Sequence, residues 1–386
     1  MRSVCQTVPM SQLALVLLLG LAGPFLALPR RVAIPVAVGE LLIGVVFGQS
    51  VLGLIRPNLP SLELISQIGF ALVMMITASH IDLTRFFSKK DLFRAARNVL
   101  ISAAMALALS ALIVNVLHLP ALFGLVFVLL VSSSAAVFLP AVQQIEGFHT
   151  PGSVLLQVTI ADLLAILLLP LVQDPTAFAK EALGVGIMSL AAVVIFFLLR
   201  WANKSGLWKK MRNVSAERHF GLELRVSLIL LLALIGLAQS LTVTIMLAGF
   251  GLGLAIAANG TPHRLAKQLF AVSEGFFAPV FFVLLGSNID VRATFADPGL
   301  IGLAVCLGAG AVLTHLVLGF TGVPWSLAAL SSAQIGVPAA AVSIGLANGS
   351  LSAGQAAAVM CGALITILVA AIAAARITDS SVTRAS

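Results

Sequence analysis

The sequence predicts an all-α polytopic membrane protein of about thirteen transmembrane helices, arranged as two inverted repeats with two broken, crossing helices. Three observations carry that reading. The chain is 60% hydrophobic and 9% charged, with a mean hydropathy of +1.13, whereas a soluble domain carries about 25% charged residues. Apolar runs of spanning length recur from end to end and leave no room for a sizeable soluble domain. Two of these runs are interrupted by small polar residues at matching places in the two halves of the chain. The net charge of +8 then belongs to loops that face a membrane, and nucleic-acid binding is excluded as its cause.

Taken in order, the first segment, 11–28, follows Arg2 and precedes Arg30 and Arg31, with no small-residue cleavage site. It reads as an uncleaved first helix that starts outside. Segment 32–49 is Gly-rich and carries Glu40; segment 61–79 ends at His80. Segment 95–116 follows a basic loop. Segment 120–140 is interrupted by Ser132–Ser133–Ser134 and closed by Pro140. Segment 151–173 carries Asp162, and 178–199 leads into the longest basic loop, 200–222. The second half holds 223–240, 243–258, 266–286 with Glu274, and 299–322 with His315. Segment 325–346 is interrupted from Ser331 through Gln334 to Gly336 and Pro338, and 354–375 is last. No stretch remains after it for a nucleotide-binding domain, so ligand gating of that kind is not expected within this chain.

This order can be checked against charge. With the N-terminus outside and the C-terminus cytoplasmic, 18 of the 22 basic residues fall in inside loops, as the positive-inside rule requires. The exceptions are Arg2, Arg56, Lys180 and Arg292. One helix more or fewer before residue 200 would scramble the pattern. The Arg and Lys of 200–222 read as topology signals with lipid headgroups as partners. Cys5, Cys306 and Cys361 share no metal or redox spacing.

Asp162 is the residue around which the rest is organised. No other charge occurs between Glu146 and Asp174. At roughly 1.5 Å per helical residue, it sits ~16 Å from either end of its segment, near the middle of a ~30 Å hydrocarbon core. A carboxylate there costs about 2.5–3.5 kcal/mol on insertion scales and by default marks a functional site. The bland reading is a lone acid satisfied by hydroxyls or water in a bundle core. Unwound backbone at membrane depth is tolerated only within protein or beside water, and opposed half-helix ends supply partial charges there. The two interruptions and Asp162 together therefore read as one site.

Several stretches then resemble the monovalent cation:proton antiporter superfamily, in its second branch of bacterial Na⁺/H⁺ and K⁺/H⁺ exchangers. They are Pro35-x-x-x-Gly39-Glu40-Leu41-x-x-Gly44-x-x-x-Gly48, Gln67-Ile68-Gly69 through Asp82, Ser133 to Gln144, Asp162-Leu163-Leu164, and Glu274 with Phe281-Phe282-Val283-x-x-Gly286-x-x-Ile289-Asp290. The resemblance covers nearly the whole length. It implies a homodimer, with dimerisation and scaffold helices within 11–116 and 178–286. It implies core ion-transport helices within 120–173 and 299–375. It also implies a cation site, for Na⁺ or K⁺, at Asp162, assisted by the broken helix. The chain departs from the family pattern at Ala161, where an acid or Asn is usual. It also departs in 299–322, which has no Lys or Arg, and in lacking a Pro-Arg-Gly-Glu-like element.

The residues suggest how such exchange would run. A proton and a cation compete for the same carboxylate, with Ser132, Ser133 and Ser134 as neutral oxygen ligands. A single acid with no fixed intramembrane Lys or Arg predicts electroneutral 1:1 exchange by alternating access, with no cofactor beyond the transported ions. His315 is a candidate partner of Asp162 or proton relay, against a neutral His bonded within the bundle. Glu40, Glu274 and Gln334 are candidates for supporting roles. Asp82 and Asp290, at helix ends, read as caps. Two rival readings stand beside this one: a Na⁺-coupled symporter of an organic anion, and a non-transporting sensor. An intramembrane enzyme is disfavoured, since no His-Glu-x-x-His, Gly-x-Ser-x-Gly or acid pair appears.

Overall fold

The structure, a computed structural model, describes residues 10–27, 36–57, 59–81, 88–143, 150–173, 178–218, 220–260 and 263–385. Arg30, Arg31, Pro35, Asp82 and His149 lie outside these. The first half comprises α1 (Met10–Gly20), α2 (Ala22–Ala27), α3 (Val36–Phe47), α4 (Pro60–Ser79), α5 (Lys89–Val116), α6 (Phe123–Val131), α7 (Ala135–Gln143), α8 (Gly152–Gln173) and α9 (Phe178–Lys204). After α10 (Leu207–Glu217), the second half comprises α11 (Leu222–Ser240), α12 (Ile245–Ala258), α13 (His263–Val272), α14 (Ala278–Ser287), α15 (Val291–Ala296), α16 (Pro298–Leu316), α17 (Trp325–Leu330), α18 (Gly336–Ala347) and α19 (Ala353–Ala385).

Each predicted segment falls largely on helix among the described residues. Among the described residues, 8 helices are long and apolar enough to cross a membrane. Shorter apolar helices cover 10–26, 36–47, 120–131, 245–258 and 336–347. Both predicted interruptions are present. α6 stops at Val131, Ser132 is extended (φ −66°, ψ 150°), and α7 starts at Ala135. α17 stops at Leu330 and α18 starts at Gly336. Pro338 sits in the first turn of α18, where its missing N–H costs nothing. Pro140 does not close its segment as expected: α7 runs through it to Gln143.

The chain packs as two units. One comprises residues 1–17, 58–83 and 177–281; the other comprises 18–57, 84–176 and 282–386.

The first unit is built on backbone contact. A Cβ on Gly249 would overlap the Ala71 carbonyl, and one on Gly253 the Met75 carbonyl. α12 therefore lies directly on the backbone of α4, as small residues permit in helix pairs within a membrane. Gly69 meets the Phe277 carbonyl in the same way, with 2.5 Å left for a Cβ. Phe70 stacks on Phe281 with ring centroids 4.8 Å apart. Between α13 and α14 the helix widens into a π turn, Ser273–Phe277.

The second unit repeats the device and adds polar contacts. Gly44 faces the Val283 carbonyl, and Gly286 faces the Leu41 carbonyl. The glycine spacing in segment 32–49 is thus the imprint of α3 lying on α14. Ser50 Oγ donates to the Ile289 carbonyl at 2.8 Å beside this contact. Asp290 caps α15, accepting from the Ala293 N–H at 3.0 Å. α16 lies along α19, where a Cβ on Gly308 would come 2.7 Å from Ile365 Cβ.

Candidate functional site

The two interruptions meet in the second unit. The Ser134 N–H donates to the Ala333 carbonyl at 2.8 Å, joining one break to the other through main chain alone. Ser133 Oγ donates to the Ser331 carbonyl at 2.6 Å, and Ser132 Oγ donates to Gln334 Oε1. Ser331 and Ser332 turn their hydroxyls to the Ala328 and Ala329 carbonyls at 2.8 Å and 2.7 Å, closing the end of α17. All six of these side chains are buried. The reason is local: a helix end leaves carbonyl and N–H groups without intrahelical partners. Inside a membrane those groups must find partners in the protein or in trapped water.

Asp162 stands on α8, 5% exposed. Its Oδ2 accepts the N–H of Ala135, the first residue of α7, at 3.2 Å. A carboxylate at a helix N-terminus is favoured by the orphan N–H groups and by the macrodipole. α8 is also tied to the second interrupted helix, since Gln173 Nε2 donates to the Ala341 carbonyl of α18 at 2.7 Å. The crossing thus holds one carboxylate, several hydroxyls, an amide side chain and unwound carbonyls, a donor set of hard oxygens. Hard monovalent or divalent cations take such ligands, and a carboxylate also takes a proton. The described residues contain no group of three or more His, Cys, Asp and Glu suited to hold a metal ion.

The other residues singled out from sequence fall as follows. Gln334 belongs to the crossing through Ser132. His315 is fully buried on α16. Its Nδ1 donates to the Ala311 carbonyl at 3.0 Å, and its Nε2 has no hydrogen-bond partner among the described residues. No hydrogen bond joins it to Asp162 among those described. Glu40 is buried on α3, its Cγ against Gly23 of α2, where a Cβ would sit 2.5 Å away. Glu274 is exposed, in the π turn of the other unit.

Sequence reasoning missed a second polar cluster, built from one residue on each of three elements. Asn98 Nδ2 on α5 donates to Gln157 Oε1 on α8 at 3.4 Å. Thr321 Oγ1, just past α16, donates to Asn98 Oδ1 at 3.2 Å. Arg97 Nη2 reaches the Thr321 carbonyl at 3.4 Å. Asn98 and Gln157 are 2% and 1% exposed. The signal was available, since each is a polar residue inside an apolar run, where burial demands a partner.

Residues 14–382 match the family described as sodium/hydrogen exchanger, transmembrane. The Na(+)/H(+)-K(+) antiporter GerN of Bacillus cereus is 29% identical over 361 residues, covering 89% of this chain and 88% of that protein. The putative Na(+)/H(+) antiporter YjbQ of Bacillus subtilis is 25% identical over 310 residues, or 74% of this chain; the chain spans about half, 48%, of that relative's length. In fold, the chain resembles the solved sodium proton antiporter of Methanocaldococcus jannaschii. The TM-score is 0.63 at 20% identity, with 95% of this chain and 98% of the other covered. With a family match running almost from end to end, the chain belongs to the transmembrane sodium/hydrogen exchangers.

Proposed function

We propose that the protein exchanges a monovalent cation, Na⁺ or K⁺, for H⁺ across the cytoplasmic membrane by alternating access at Asp162. The observation that carries this reading is the buried Asp162 carboxylate at the start of α7, beside the bonded pair of helix interruptions. The proton and the cation occupy the carboxylate by turns. Ser132, Ser133 and Ser134, with the carbonyls of the breaks, supply neutral oxygens to the cation. Exchange is electroneutral, one for one, because Ala161 leaves a single acid and no Lys or Arg lies on α16. Gln334 supports the site through Ser132 without holding the ion. The protein works as a homodimer with its N-terminus outside and its C-terminus in the cytoplasm.

The test is dequenching of a pH-sensitive dye in proteoliposomes on addition of Na⁺, K⁺, Li⁺ or choline. Dequenching by Na⁺ or K⁺ but not choline, abolished in Asp162→Asn, is expected. A rate that scales with an imposed voltage would overturn electroneutrality. A response that requires an added organic anion would favour a symporter. No response to any cation would return the chain to a sensor role.

A further inference from the structure

The basic loop 200–222 holds a helix, α10, whose placement and surface chemistry the exchange reaction does not use. It runs Leu207–Glu217 between two helices long and apolar enough to span the membrane, α9 and α11. The connections are short: Ser205–Gly206 before it and Arg218–Gly221 after it. Gly206 and Gly221 both take the left-handed conformation, at φ 75° and 62°. A Cβ on either would meet nothing within 4 Å. Conformation, not space, therefore calls for glycine at both ends. Each glycine turns the chain, and α10 packs against both α9 and α11.

Its sequence is two-faced. Leu207, Trp208, Met211, Val214 and Ser215 share one side, and the exposed Lys210, Asn213 and Glu217 the other. The apolar side is anchored. Trp208 lines a cavity with Asn203, Ser227, Ile256 and Leu265, which come from α9, α11, α12 and α13. Ser215 is 1% exposed, and its Oγ accepts the Leu222 N–H at 3.0 Å. Around this anchor large apolar groups stay open: Trp201 62%, Leu207 51% and Phe220 44% exposed. Beside them Lys204, Lys210, Arg218, Arg225 and Lys267 are exposed, against one exposed acid, Glu217; Glu223 is buried.

We infer that α10 lies in the plane of the membrane surface and that the basic side chains around it bind the headgroups of anionic phospholipids. Charge complementarity selects the occupant. Each Lys or Arg near an anionic surface contributes about 1 kcal/mol, and exposed Trp and Phe belong at the interface between headgroups and acyl chains. Because α10 touches helices from across its unit, lipid bound there would hold that unit together. The inference does not depend on which ion is exchanged.

The experiment is thermal unfolding of the detergent-purified full chain with added dioleoyl phosphatidylglycerol, dioleoyl phosphatidylcholine or inorganic phosphate. Phosphatidylglycerol is expected to raise Tm by about 3 °C or more beyond phosphatidylcholine. Lys204→Gln/Lys210→Gln/Arg218→Gln/Arg225→Gln should lose that difference and keep the Tm seen in phosphatidylcholine. If the fourfold variant does not fold, Lys204→Gln/Lys210→Gln should lose about half of it, while Lys204→Arg/Lys210→Arg keeps all of it. Equal shifts from the two lipids, an equal shift from inorganic phosphate, or an undiminished shift in the Gln variants would each overturn the inference.

Discussion

The contact of α4 with α12 and the crossing of the two interrupted helices answer the same demand in opposite ways. Both must bring backbone close to backbone inside a membrane. At the first, uninterrupted helices keep their own hydrogen bonds, and Gly249 and Gly253 let the carbonyls of Ala71 and Met75 approach. Nothing there is left to bind a ligand. At the second, the helices stop, and the freed groups are satisfied across the break by Ser132, Ser133, Ser134 and Gln334. The difference teaches that glycine makes a rigid, dry contact, whereas interruption makes a polar one that can hold an ion.

The largest expected effect separates the two regions. Asp162→Asn should lower cation-driven dequenching by at least ~100-fold, with Tm within a few degrees of the parent. Gly249→Val should do the reverse. It drives a branched side chain into the Ala71 carbonyl and should cost about 3 kcal/mol of stability, read as a lower Tm and poor yield. Gly186→Ala, where a Cβ meets nothing within 4 Å, is the matched control and should be silent. If Gly249→Val folds normally yet loses exchange, the contrast drawn above fails.

A smaller effect tests the polar joint itself. Ser132→Ala leaves Gln334 without its partner in a buried place, at about 1–3 kcal/mol. The apparent affinity for the transported cation should weaken by about tenfold. Gln334→Ala should do the same, and the double variant should cost less than the two added together, as in a double-mutant cycle. The smallest effect is expected at His315. With Nδ1 on the Ala311 carbonyl and no described bond to Asp162, His315→Gln should change the rate by less than about twofold. The shape of the pH profile between pH 6 and 9 should be retained. A displaced profile would support a proton relay through His315.

What could be read in the residues, and what could not, follows the same division. Helix after helix was legible because a hydrocarbon core demands long apolar runs. Both interruptions were legible because Ser132–Ser133–Ser134 and Ser331–Ser332 break such runs. Gly44 and Gly286 were visible as a pattern, but their cause was not: the carbonyls they face lie more than 200 positions away in sequence. The same distance hid the link from Ser132 to Gln334. The π turn that carries the exposed Glu274 was not legible, because a widened turn leaves no signature in hydropathy. Asn98, Gln157 and Thr321 were each noticeable alone, but their meeting depends on how three elements pack.

The bond from the Ser134 N–H to the Ala333 carbonyl has a consequence for how this protein can change over time. No side chain makes it, so ordinary replacements at either position leave it in place, proline at 134 being the exception. The donor atoms lining the site can therefore be exchanged one by one, and ion preference can drift, while the scaffold that presents them persists.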